Sequence, residues 1–264
     1  MKFIVLADNR GSGFCHSEEF SLLIQDSENS YNVLFDTGVG DNFLINAEKL
    51  GVDINTVDSC VISHGHYDHG NGLKFLKAAT RLYLNENCFN KRYSKRRNGV
   101  YSGLDLNKDE VEGKFKVTYV NNLLQISENI LVSGKIANRK FEFENNNYPH
   151  YLENGNDDIV EDKISLYIKT KKGIIIVSGC SHAGICNTIE DAKQKLNKKN
   201  IYAVIGGFHL TKLNERTYKV IEYLKQNNVQ NLYLAHCTCD ESCEIIKQEI
   251  PSAKVIETGM QFEL

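Results

Sequence analysis

The sequence predicts an α/β protein built from two similar β-rich halves, and three observations carry that prediction. Short runs rich in β-branched and aromatic residues (KFIVLA, FSLLIQ, YNVLFDTG, SCVIS, TRLYLN) alternate with turn signals through roughly the first third of the chain. A second series (ILVSGKI, ISLYIKT, GIIIVSGC, IYAVIGG, NLYLAHC) repeats the theme with amphipathic helices between its later members. The ends CVISHGH and IVSGCSH look alike, each an apolar strand running into glycine and histidine.

Each helix follows from spacing. Phe43, Leu44, Ala47 and Leu50 make one stripe. Ile185, Ile189, Ala192 and Leu196 make a second, and Val220, Ile221 and Leu224 a third. NGLKFLKAA is expected to begin another helix. At 264 residues and 41% hydrophobic content the chain can bury a large core, and one domain over residues 1–264 is expected. A net charge of -3 and a pI near 6.3 give no overall field for nucleic acid or an anionic membrane. MKFIVLADNR turns polar too soon for a signal peptide, no apolar run approaches a bilayer span, and the expected location is cytoplasmic. The eight cysteines are expected as free thiols or metal ligands rather than disulfides. Oligomeric state is not legible from these features.

The densest chemistry lies in VISHGHYDHGNGL, which places His64, His66, Asp68 and His69 within six positions. On a helix His64 and His66 would point about 200° apart, but at a strand end they can share a side, with Gly65 relieving the crowding. Asp68 and His69 can then approach from another direction. Imidazoles and a carboxylate converging in this way suit zinc, or manganese and iron, and a pair of adjacent ions is expected.

The array His64–His69 after DSCVIS, with LFDTG upstream, resembles the metallo-β-lactamase superfamily over essentially the whole chain. The resemblance implies a four-layer αββα sandwich with a dinuclear metal site at the sheet edges. GCSHAGI, GGFHL and HCT are similar to a subgroup named after dihydropterin-methyl ribofuranosylaminobenzene phosphate synthase. Two departures are visible: SEEFS stands where a His-Gly pair is expected, and Cys239 where glycine is usual.

The resemblance implies that His182 completes one metal's ligands and His236 the other's. Cys180 stands where a strand-end ligand is expected, as a metal-binding thiolate or as a small buried residue. Asp36 of LFDTG is expected to orient a liganding histidine through its far nitrogen. Glu161 or Asp162 is an alternative carboxylate ligand if His182 has another role. For His209 the open roles are general acid or oxyanion donor, metal ligand, and structural residue. His16 and His150 read as ordinary loop residues, and Cys237, Cys239 and Cys243 as thiols capping a short helix.

KRYSKRR puts five basic residues in seven, and NNNYPHYLENGNDDIVED (145–162) is a polar loop acidic towards its end. Both read as solvated surface or as a mobile lid, in which Lys91, Arg92, Lys95, Arg96 and Arg97 could attract an anionic substrate, the last three above all. The expected function is metal-dependent hydrolysis of a small anionic or phosphate-bearing molecule, with Asp68 and His209 in catalytic roles and a metal-bridging hydroxide as nucleophile. A synthase-like transferase is the alternative, and a phosphodiesterase or nuclease a further one. A diiron redox protein of this superfamily would carry glutamate at His66. A broad basic surface for nucleic acid is also missing from the sequence.

Overall fold

The computed structural model describes residues 1–136, 141 and 148–264; Asn145, Asn146 and Asn147, at the start of the polar stretch, lie outside the described residues. The chain divides into two compact units that interleave in sequence. Met1–Asn121, Asn145–Asp162 and Glu257–Leu264 form the first, and Asn122–Glu144 with Lys163–Ile256 the second.

In the first unit the main sheet has the spatial order Gln261–Glu263, Lys2–Ala7, Ser21–Asp26, Tyr31–Phe35, Ser59–Val61, Arg81–Leu84, Lys116–Tyr119. Its early strands pair antiparallel, and pairing turns parallel from Tyr31–Phe35 onward. Parallel strands require crossovers, which helices Asn42–Lys49 and Lys108–Lys114 help supply. Phe43, Ala47 and Val111 of these helices pack on Ile4, Leu34, Cys60 and Leu82 of the sheet. Buried Asn46 adds a polar tie, donating to the Leu6 carbonyl at 2.8 Å and the Cys15 carbonyl at 2.7 Å. A separate three-stranded sheet joins Arg92–Ser94 to Val100–Tyr101 and to His150–Leu152.

The second unit has the order Ala253–Val255, Asn231–Leu234, Ile201–Gly206, Gly173–Ser178, Ser165–Thr170, Ile130–Val132, Leu124–Gln125. It too is parallel at one end and antiparallel at the other. Helices Ile185–Leu196, Glu215–Gln226 and Asp240–Glu249 bury Ile189, Leu224 and Ile246 against Ile176, Val204 and Leu232. These are the expected stripes. Among the described residues no helix is long and apolar enough to cross a membrane.

One expected element differs. NGLKFLKAA forms only a 3-10 turn, Asn71–Lys74, after the single helical turn Tyr67–Gly70. Gly70, Asn71 and Gly72 are poor helix formers. The backbone is also pressed so closely on the LFDTG segment that a Cβ at Gly72 would come within 2.2 Å of the Thr37 carbonyl oxygen.

A comparable approach occurs in the second unit. Gly206 has φ +127°, and a Cβ there would fall 1.8 Å from the Ser178 carbonyl oxygen. Gly206→Ala should therefore strain the parallel pair at the strand ends and lower the unfolding free energy by about 2 kcal/mol or more. Urea melts of wild type and variant check this, and an unchanged midpoint refutes it.

Candidate metal centre

In the first unit the site grows from two adjacent strand ends. Tyr31–Phe35 delivers Asp36 and Ser59–Val61 delivers Ser63 and His64, and the two strands pair in parallel, so both ends emerge on the same side. Ligand sites in α/β sheets commonly form at such carboxyl ends. Asp36 is fully buried at φ +60°, the left-handed region, which turns its side chain back over the neighbouring strand. It accepts from the Ser63 N–H at 2.7 Å, the Ser63 hydroxyl at 2.7 Å, and His69 Nδ1 at 2.7 Å.

These bonds determine which ring nitrogens carry protons. A carboxylate only accepts, so His69 donates from Nδ1, and in the neutral ring Nε2 carries the lone pair. Ser63 gives its proton to Asp36, so it accepts from His64 Nδ1 at 2.9 Å, and in the neutral ring His64 Nε2 carries the lone pair. His66 Nε2 faces Asp158 Oδ2 at 3.5 Å, while its Nδ1 lies 3.0 Å from His64 Nε2. The His66 and His69 ring centroids stand 4.5 and 4.2 Å from that of His64. Asp68 brings a carboxylate oxygen to 3.9 Å from His69 Nε2. Imidazole nitrogens gathered beside a carboxylate form a donor set that fits a borderline divalent ion.

Gly65 is required here for a reason other than the expected crowding between the two histidines. A Cβ on it would come within 2.0 Å of the Cys88 carbonyl oxygen and 2.5 Å of an Arg92 guanidinium nitrogen. Its N–H donates to Asp162 Oδ2 at 2.6 Å. Asp162 Oδ1 is held by Arg92, so both oxygens of this candidate ligand are engaged in bracing the loop. Glu161 is exposed.

Arg92 also departs from the solvated reading of the basic stretch. It is 0% exposed and pairs with Asp162 and, through Nε at 2.9 Å, with Asp158. Burial opposes its charge, but the two carboxylates outweigh burial and raise its pKa. For Asp158 burial acts upward, and the neighbouring His66 imidazole and the Arg92 charge outweigh it, holding the carboxyl at about 2. The other basic residues are surface groups: Lys91 pairs with Glu153 at 2.7 Å, Lys95 with Asp157, and Arg97 lies 4.9 Å over the Tyr67 ring. Arg96 is exposed.

His150, expected to be an ordinary loop residue, sits on a strand with its ring 4.6 Å from that of His66. Burial first, and His66 beside it, lower its pKa to about 4, so it is a neutral imidazole near pH 7. Sequence reading missed His150, Asp158 and Ser63 as site residues. The acidic run NDDIVED was the only signal for Asp158, and no local spacing distinguishes it from Asp157.

The second unit presents Cys180, His182, His209 and His236, also at strand ends. Cys180 and His236 are buried, and the His182 and His209 ring centroids are 4.5 Å apart. Ser181, His209 and His236 adopt φ of +48°, +51° and +41°. Three non-glycine residues in this region at one set of strand ends mark a constrained site. Arg216 donates to the His209 carbonyl at 2.9 Å, and the Cys237 thiol lies 3.6 Å from the Cys180 carbonyl. Cys239 begins helix Asp240–Glu249, and the Cys243 thiol lies 3.6 Å from the Thr238 carbonyl. All eight cysteines are free.

Comparison with known proteins places this geometry. Residues 18–83 match the metallo-beta-lactamase superfamily profile. Over 240 residues the chain is 30% identical to the 7,8-dihydropterin-6-methyl-4-(beta-D-ribofuranosyl)-aminobenzene-5'-phosphate synthase of Methanocaldococcus jannaschii, covering 84% of this chain and 81% of that one. The chain belongs to the metallo-beta-lactamase superfamily. Its fold is that of the superfamily: the structure of Tm1679, a metal-dependent hydrolase of the beta-lactamase superfamily, matches at TM-score 0.87 and 33% identity over 100% of this chain and 99% of that one. Human tRNase Z, short form, shares the fold at TM-score 0.54 and 14% identity, over 100% and 99% of the two chains.

Within this superfamily site the buried triad is testable by stability. Arg92→Met leaves Asp158 and Asp162 buried without their counter-charge, and should cost about 3–5 kcal/mol of unfolding free energy. Denaturant titration of the metal-free protein reads the loss, and a loss below about 1 kcal/mol contradicts the triad's role.

Proposed function

We propose that the protein is a metal-dependent hydrolase acting on a small, anionic substrate. The observation that carries this reading is the hydrogen-bond arrangement in the first unit, where Asp36 and Ser63 take the Nδ1 protons of His69 and His64 and so favour the lone pair on Nε2 of each ring, near the Asp68 carboxylate. Two divalent ions are proposed, zinc or alternatively manganese or iron. On the sequence reading, His64, His66 and His182 would serve one and Asp68, His69 and His236 the other, with Cys180 as a further ligand. When bound, such ions supply Lewis acidity and a water nucleophile at neutral pH. The residues do the rest: Asp36 holds two histidines in the ligating tautomer, and Asp68 contributes negative charge that keeps the cations in place. His209 is proposed to give a proton or hydrogen bond to the leaving group.

An anionic substrate is supported by Arg97, whose guanidinium lies over Tyr67, the residue between His66 and Asp68. Lys95 and Arg96 belong to the same exposed turn and are proposed to add steering. A transferase forming a ribofuranosyl-aminobenzene product is the second reading, favoured by the 30% identity to the Methanocaldococcus jannaschii synthase.

Metal analysis of fully loaded protein should return close to two ions per chain, with Asp68→Ala losing mainly one; at most one tight ion in wild type refutes the dinuclear reading. Assay against phosphomonoesters, phosphodiesters, lactones, thioesters and β-lactams, beside a phosphoribosyl donor with an aromatic amine, separates hydrolysis from condensation. On the active substrate His209→Ala should keep both ions and lower kcat by roughly 10²- to 10⁴-fold, less where the leaving group needs no proton. Arg97→Ala should raise KM more than it changes kcat. Equal activity of His209→Ala with good and poor leaving groups removes it as the acid.

A further inference from the structure

We infer that Asp158 is a positioning residue for His66, held in place by Arg92, and that this pair sets the affinity of one of the two metal ions. The inference rests on the metal reading above. Its observations lie wholly within the first unit.

Asp158 Oδ2 faces His66 Nε2 at 3.5 Å, on the side of the ring away from His64. His66 Nδ1 shares a hydrogen bond with His64 Nε2 at 3.0 Å, and when an ion is bound a carboxylate on the far side would favour the tautomer with the proton on Nε2 and the lone pair on Nδ1. His64 and His69 receive the same service from Ser63 and Asp36. Asp158 thus stands beside the outer nitrogen of His66 as Ser63 and Asp36 stand beside those of His64 and His69, at ion-pair rather than hydrogen-bond distance.

The carboxylate is itself immobilised. Its Oδ1 accepts from the Val160 N–H at 2.9 Å, its Oδ2 meets Arg92 Nε at 2.9 Å, and its backbone N–H donates to the His150 carbonyl at 3.1 Å. Val160 stands at φ +51°, costly for a β-branched residue, so the chain tolerates strain to make this bend. Burying one guanidinium and two carboxylates contributes little net stability compared with apolar packing. Placement is the better account of the triad, because Arg92 joins Asp158, behind His66, to Asp162, which holds the Gly65 N–H between the two histidines. The triad also carries one surplus negative charge beside His66, which favours a cation there.

The test measures zinc binding by chelator competition and the melting temperature of the metal-free protein, for wild type, Asp158→Ala and Asp158→Asn. Asp158→Ala should weaken one of the two ions about 10- to 100-fold and leave the other within about twofold. Asp158→Asn should lose less, because its amide oxygen can still accept from His66 Nε2–H while lacking the charge. If Asp158→Ala does not fold, Asp158→Asn carries the same test. Wild-type affinity for both ions in the variants overturns the assignment alone. Equal weakening of both ions with a lower metal-free melting temperature also overturns it, since that is the mark of a purely structural residue. A wild-type protein that takes up no zinc, manganese or iron overturns this inference and the metal reading together.

Discussion

The first unit is organised around the Asp36 carboxylate. It is fully buried and accepts from a backbone N–H, a hydroxyl and an imidazole, so its desolvation is met by three donors. The backbone around it is laced to the same partners: Asp36 N–H donates to the Val61 carbonyl at 2.9 Å and Thr37 N–H to the His69 carbonyl at 2.7 Å. One side chain at a strand end therefore sets the tautomers of His64 and His69 and the path of the turn that carries them. The left-handed backbone at Asp36 is the cost of aiming that side chain across to the next strand.

Arg92 plays the corresponding part for the outer side of the array. Its charge is 0% exposed, and a lone guanidinium in that position would be prohibitively desolvated. Asp158 and Asp162 make its burial tolerable, and each carries the constraint onward, to His66 and to the Gly65 backbone. Gly65 has no freedom to become anything larger, because the Cys88 carbonyl and Arg92 occupy the space of a Cβ. The small sheet formed by Arg92–Ser94, Val100–Tyr101 and His150–Leu152 holds both ends of this network, pairing Leu152 with Arg92 in register.

The second unit reaches a similar result with backbone geometry in place of buried charge. Gly206 and Gly207 let neighbouring strands and the Cys237 thiol come close, and Ser181, His209 and His236 turn sharply as they leave their strands. Parallel pairing from Gly173–Ser178 through Asn231–Leu234 brings these ends out together, so residues far apart in sequence become neighbours. In both units the chemistry sits where apolar strands stop and constrained turns begin.

Local pattern determined much of this protein from sequence alone. The apolar runs became strands, the periodic stripes at Phe43, Ile185 and Val220 became helices, and the compact spacing of His64, His66, Asp68 and His69 identified the superfamily, because such signals act between residues a few positions apart. NGLKFLKAA failed as a helix because a contact with Thr37, distant in sequence, overrode its periodicity. Tertiary structure alone decided that Arg92 is buried while Lys95, Arg96 and Arg97 are exposed, that Asp158 rather than Asp157 faces His66, and that His150 leaves its expected loop role to lie beside His66. Arg92 and Asp162 are separated by 70 positions. A charge run has the same local appearance whether it is solvated or neutralised by such distant partners, and only folding brings the compensating carboxylates to it.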